Sequence, residues 1–92
     1  MKLDIVSPEG VLFSGEVDSI AVPGVNGTFE MLNNHAPIVA ILTQGDVRIK
    51  GNDLLIDEEV QDKFKITTGE VVLPIQSGTV EMKNNKVIVL AE

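Results

Sequence analysis

The sequence predicts an all-β fold, a sandwich of two sheets built from about ten short strands. Three observations carry that expectation. Apolar residues come in short β-rich runs broken by Gly, Pro and Asn, and no window keeps helical spacing of apolar residues over three turns. Two segments alternate cleanly: Val47 and Ile49 against Asp46, Arg48 and Lys50, and Phe64 and Ile66 against Lys63, Lys65 and Thr67.

Taken in order, the breaks define the elements. Ser7-Pro8-Glu9-Gly10 separates strands near 2–7 and 11–16, Pro23-Gly24 closes a third near 18–23, and Asn33-Asn34 closes a fourth near 27–32. Pro37 fixes the start of a fifth near 38–43, and Gly45 opens a sixth at 46–50. Gly51-Asn52 reads as a hairpin turn into a strand near 54–58, followed by one near 62–68. Beyond Gly69 comes a strand at either 71–76 or 79–83. Asn84-Asn85, a pair that tolerates the left-handed conformation, then turns the chain into 86–91. "PIVAIL" (Pro37 to Leu42) and "VIVLA" (Val87 to Ala91) are apolar on both faces, which fits a strand covered on both sides or one facing a partner.

With 92 residues the chain is read as one domain over 1–92, because two cores would leave each half below the size that folds unaided. The apolar fraction of 43% and mean hydropathy of +0.21 suffice for burial and argue against disorder. Cysteine is absent, which removes disulfides, thiolate metal sites and thiol nucleophiles. No stretch is long and apolar enough for a membrane span or a secretory signal, so no direct membrane insertion is expected. Net charge is −7, which opposes nucleic acid and anionic lipid. Only Lys2 precedes Arg48 among the basic residues, so a partner of the first half meets acidic or apolar surface.

Candidate chemistry is sparse. His35, the single histidine, has no second histidine or cysteine with which to build a zinc site. It reads as a loop residue whose ring bonds the local backbone. Asp53, Asp57, Glu58, Glu59 and Asp62 could pair carboxylates as glycosidases do, yet adjacent acids fit an exposed hairpin tip, and the calcium-loop spacing fails. Gly24-Val-Asn-Gly27 lacks the basic context of a nucleic-acid clamp. Neither a phosphate-loop pattern nor a nucleophile elbow occurs. Asp62-Lys63 keeps open a lipoyl-like carrier domain with a modifiable lysine, and the acidic cluster keeps open a small ligand-binding β-sandwich.

The segments "LDIVSPEGVLFSGEVDSIAVPGVNGTFEML", "NNHAPIVAIL-TQGDVRI" and "SGTVEMKNNKVIVLAE", in that order, resemble the N-terminal β-sandwich of the epsilon subunit of bacterial F-type ATP synthase, the counterpart of mitochondrial delta. The resemblance implies a non-catalytic, ten-stranded rotor subunit of the central stalk. It would bind the side of gamma and rest on the polar loops of the c-ring, coupling proton or sodium flow to ATP synthesis. It also implies no cofactor, no metal, and a peripheral place on the cytoplasmic face of the bacterial inner membrane. Carried over by position, Thr28 and Glu30 would face the c-ring loops, and Ser7, His35 and Ala40 would lie toward gamma. Met31, Leu32 and the "PIVAIL" run would either supply apolar anchors or simply be core.

The chain departs from the family pattern in five places, the last and largest at its end. Asn33-Asn34 stands for the usual Pro-Gly before the histidine, Thr28 for an acidic residue, and Thr79 for the second glycine of S-G-G. The segment between Ile49 and Ser77 is longer than in relatives, and is read as an extended hairpin carrying the acidic cluster. In many relatives a helical hairpin that restrains ATP hydrolysis follows the sandwich. The present sequence stops at Glu92, so the expectation is assembly and coupling without that inhibition or ATP binding.

Overall fold

A computed structural model of the chain describes residues 1–92 and contains ten strands. β1 (Lys2–Ser7) and β2 (Gly10–Glu16) form the first hairpin. Ser7 Oγ accepts from the Glu9 amide at 3.3 Å, and Gly10 turns the chain at φ 137°, a conformation that only glycine adopts cheaply. The β1/β2 register jumps between Ile5 and Val6, which leaves Leu12 unpaired in a bulge, so the adjacent Leu12 and Phe13 are both buried. β3 (Ser19–Gly24) and β4 (Gly27–Leu32) form the second hairpin. β5 (Ile38–Leu42) runs into β6 (Gly45–Lys50) through Thr43 and Gln44. β7 (Lys65–Thr67) pairs with β8 (Glu70–Ile75). β9 (Gly78–Lys83) and β10 (Lys86–Ala91) meet at Asn84 and Asn85, both left-handed at φ 52° and 58°, as a tight hairpin turn demands.

The strands make two layers of five. The first runs β2-β1-β10-β9-β5 and the second β4-β3-β6-β8-β7; every pairing is antiparallel except β1 with β10. One antiparallel pair passes from layer to layer: β5–β9 continues as β6–β8, β5 running into β6 and β8 into β9, so the sandwich is one sheet folded at Thr43-Gln44 and Gln76-Ser77. The fold needs close approach at its corners. A Cβ on Gly45 would lie 2.7 Å from Pro23 Cβ, and one on Gly78 would collide with the Leu90 carbonyl oxygen. Between the layers lies one cluster of 21 buried apolar residues, drawn from alternate positions of both sheets, with Leu3, Ile5, Ile20, Met31, Val47 and Val89 fully shielded.

The structure corrects the sequence reading around residues 51–68. No strand forms at 54–58, and Gly51-Asn52 closes no hairpin, since β6 has β3 and β8 as neighbours. The acidic run instead forms a 3₁₀ segment at Glu58–Lys63, capped by Asp57, whose carboxylate accepts from the Glu59 amide at 3.1 Å. Short acidic side chains offer the backbone such local bonds and fit poorly on a pleated surface. The strand expected at 62–68 shrinks to Lys65–Thr67; Phe64 is buried beside it, while Ile66 on the sheet margin stays exposed. Both alternatives at 71–76 and 79–83 are strands, on either side of a layer corner.

Candidate functional site

One flank of the sandwich is built by consecutive chain, β4, the Asn33–Pro37 turn and β5. Along β4 the period of two decides which side chains face out: Thr28, Glu30 and Leu32 are exposed, while Met31 is fully buried and Phe29 half-buried against the core. Met31, expected as an apolar anchor for a partner, is therefore a core residue. It sits opposite Ile20 of β3 on the inner face. Leu32, one residue on, does face solvent.

The turn that follows is held at several points. The His35 amide donates to the Leu32 carbonyl at 3.1 Å, and Asn34 adopts φ 63° at the position where the family pattern has glycine. Asn33 Oδ1 accepts from the Met1 amino group at 2.6 Å, and the Asn34 amide donates to Asn85 Oδ1 at 2.7 Å, which ties the turn to the β9–β10 turn. His35 is half-buried, with Nδ1 2.7 Å from the Ala36 carbonyl oxygen. The ring thus bonds its own local backbone, as expected of a loop histidine.

On β5 the alternation resumes with Val39 and Ile41 pointing out, 77% and 66% exposed, and Ile38, Ala40 and Leu42 pointing in. Between β5 and the tip of the β3–β4 hairpin lies an open groove of about 590 Å³ that brings Thr28 and Ala40 together with Val25, Phe29, Ile38 and Ile41. Glu30, Leu32 and His35 continue the flank beyond it. Ser7 is not brought here. The first layer's register places it beyond the row Val6–Leu90–Thr79–Ile41, whereas His35 precedes the row that begins at Ile38–Met82, so the two residues mark opposite ends of the layer.

That register also exposes a feature missed in the sequence. Val11, Val6, Leu90, Thr79 and Ile41 line up across all five strands of the first layer's outer face, and Val39 and Ile88 stand in the next row. Val11, Leu90, Ile41 and Val39 are each more than half exposed. The unbroken apolar runs at 38–42 and 87–91 were the available signal.

No three His, Asp or Glu side chains stand close enough together to hold a metal ion. Lys63 ends the 3₁₀ segment and pairs with Glu9 at 3.1 Å, instead of occupying the tight inter-strand turn of a carrier lysine. No helix is long and apolar enough to cross a membrane.

Comparison with known proteins gives these positions a family. A sequence model of the ATP synthase delta/epsilon chain β-sandwich domain matches residues 1–92. The chain is 37% identical over 91 residues to the ATP synthase epsilon chain of Chlorobium limicola, covering 99% of this chain and 88% of that one. It is 38% identical over 92 residues to the epsilon chain of Leptospira interrogans, of which it spans 61%. Among solved structures, a chain of the central stalk and c-ring of the Tetrahymena thermophila mitochondrial ATP synthase has the same fold, with a TM-score of 0.74 over 99% of this chain and 62% of that chain, at 13% identity. Motif order, ten-stranded sandwich and relatives agree, and the chain belongs to the delta/epsilon family of ATP synthase subunits.

Proposed function

We propose that the chain is a non-catalytic central-stalk subunit that joins gamma to the c-ring of an F-type ATP synthase, so that ion flow through the ring is coupled to ATP synthesis. It would act peripherally, at the cytoplasmic face of a bacterial inner membrane. The observation that carries this reading is the braced flank: exposed Thr28, Glu30 and Leu32, the tied Asn33–Pro37 turn, and exposed Val39 and Ile41 follow one another on consecutive chain over a single continuous core.

A part that transmits torque needs a contact surface that does not shear away from its own body. Close-packed interiors have low compressibility, and here each exposed residue of β4 and β5 alternates with one packed on the core. Thr28 and Glu30 supply directional polar contacts to the ring loops. Leu32 is the apolar anchor, His35 and Ala40 set the shape toward gamma, and Ser7 makes a separate contact at the other end of the first layer. Only a minority of interface residues cost more than about 1 kcal/mol when truncated, and they cluster at the centre of the contact, which is where this reading puts Leu32.

Capture of the chain by a gamma–c-ring subcomplex tests the reading. Leu32→Asp is expected to weaken capture by about tenfold or more through lost apolar contact, with little change in unfolding midpoint because the side chain is exposed. Undiminished capture by Leu32→Asp combined with Glu30→Arg would exclude this flank as the rotor contact.

A further inference from the structure

The four outer strands of the sandwich are not alike. β2 carries the Leu12 bulge and a terminal glutamate, β4 presents Glu30, and β7 is three residues long with Lys65. Each is a device that discourages pairing with another strand. β5 has none: Ile38-Val39-Ala40-Ile41-Leu42 contains no charge, no proline and no bulge, and its pairing with β9 is regular throughout. On the other side β5 meets β3 only at Gly24↔Leu42. The Thr43 amide, donating to the Pro23 carbonyl at 2.8 Å, points away from β9. Because peptide groups alternate sides along a strand, the backbone groups of Ile41 and Val39 point the same way, toward the open groove.

We propose that this edge accepts an added β-strand, an extended segment of a partner chain with apolar residues at alternate positions and Lys or Arg at its ends. The inference goes beyond the rotor reading, since it specifies a mode of binding that holds for any partner. Free backbone donors and acceptors along an edge call for a strand and not for a helix. The groove beside them, about 590 Å³ and without a charged residue in its lining, takes the inward side chains of such a segment. Charge selects its ends. Glu30 follows the lining residue Phe29 on β4 and Glu81 stands directly opposite the lining residue Val39 on β9; both belong to none of the five ion pairs, although Glu81 also shares a shallow pocket with Lys83 and Lys86 at its far side. A second copy of this chain is disfavoured as occupant, because two chains of net charge −7 would bring the same carboxylates together.

The test uses the full chain, isotopically labelled, with the capped heptapeptide Lys-Val-Thr-Val-Thr-Val-Lys as probe and a Glu-flanked version as control. The Lys-flanked peptide is expected to slow amide exchange at Val39 and Ile41 by about tenfold or more and to bind at least about tenfold tighter than the control. Val39→Pro removes an edge donor without removing a bond to β9 and should abolish binding while Val80 and Met82 amides stay protected; Val39→Thr, which keeps the donor, should retain it. Unchanged exchange at Val39 and Ile41, protection at another edge instead, equal binding of both peptides, or a β5-mediated dimer without peptide would each overturn the proposal. If the peptide binds but gamma and the c-ring do not capture the chain, the strand site stands and the rotor reading falls. Capture that leaves Val39 and Ile41 exchanging freely, with Val39→Pro unimpaired in both assays, has the opposite meaning.

Discussion

On the outer face of the second layer Arg48 stands between Asp46 and Glu70, with Lys50, Lys65 and Glu30 around it, whereas the outer face of the first carries Val11, Val6, Leu90 and Ile41 in one row and Val39 and Ile88 in the next. The inner faces of both layers follow one rule, alternate apolar positions packed into a common core. Folding therefore constrains the two layers equally on the inside and leaves the outside free to differ. Scattered exposed apolar residues need no explanation, but Val11, Val6 and Leu90 aligned on three adjacent strands, with Ile41 beyond Thr79 in the same row, amount to a patch, and patches mark interaction surfaces. The second layer's outer face is mostly charged, with Leu32 its exposed apolar residue, whereas the first gathers its apolar residues at one end, away from the charged row Lys2–Lys86–Lys83, and that end fits a partner.

The largest effect should come from the inside, where the layers are alike. Met31→Ala opens a void in the shared core and is expected to cost about 2–5 kcal/mol, while Leu32→Ala, its neighbour on the outer face, should change stability by no more than about 0.5 kcal/mol. Urea unfolding of the two variants measures the difference. Similar losses at both positions would mean that the outer face is packed by the chain itself.

Next in size is the apolar row. Ile41 and Leu90 both adjoin Thr79 on neighbouring strands, and such cross-strand contacts contribute a few tenths to about 1 kcal/mol each. Replacing Ile41 and Leu90 together by Thr, which keeps β-propensity, should thus lower stability by less than about 2 kcal/mol and reduce binding of a hydrophobic dye. A larger loss in the urea midpoint, or unchanged dye binding, would remove the distinction between the layers.

These pairs also show what could be read from sequence. The wet phase of β4 was legible: Thr28 and Glu30 mark it, and a period of two assigns Leu32 to it and Met31 to the core. Reading both apolar residues as anchors set that period aside. The His35 turn was legible too, because Asn tolerates the left-handed conformation that Asn34 adopts. The apolar row was legible only in part: the runs at 38–42 and 87–91 mark β5 and β10, but its alignment arises from the parallel pairing of β1 with β10 and from the bulge that sets Val6 against Val11, neither of which leaves a local mark. Nor did spacing reveal that Gly45 and Gly78 sit at layer corners, because their close approach is to residues distant in sequence, Pro23 and Leu90. The acidic segment misled for a different reason: local capping by Asp57 outweighed the flanking apolar residues that suggested a strand.

The smallest expected effect lies on the charged face. Arg48 reaches Glu70 at 3.1 Å and Asp46 at 3.6 Å but is itself 49% exposed, so both pairs compete with water. Arg48→Met keeps the apolar stem and removes the charge, and should cost less than about 1 kcal/mol at low ionic strength. At 1 M salt the Debye length falls to about 3 Å, and most of that difference should disappear, while the Ile41 and Leu90 substitutions, which remove no charge, should show no such loss. Unfolding curves at two salt concentrations separate the cases. A salt-insensitive penalty at Arg48 would mean that its stem, laid between Ala21 of β3 and Val72 of β8, contributes packing like that on the other face, and the contrast between the layers would then be one of charge alone.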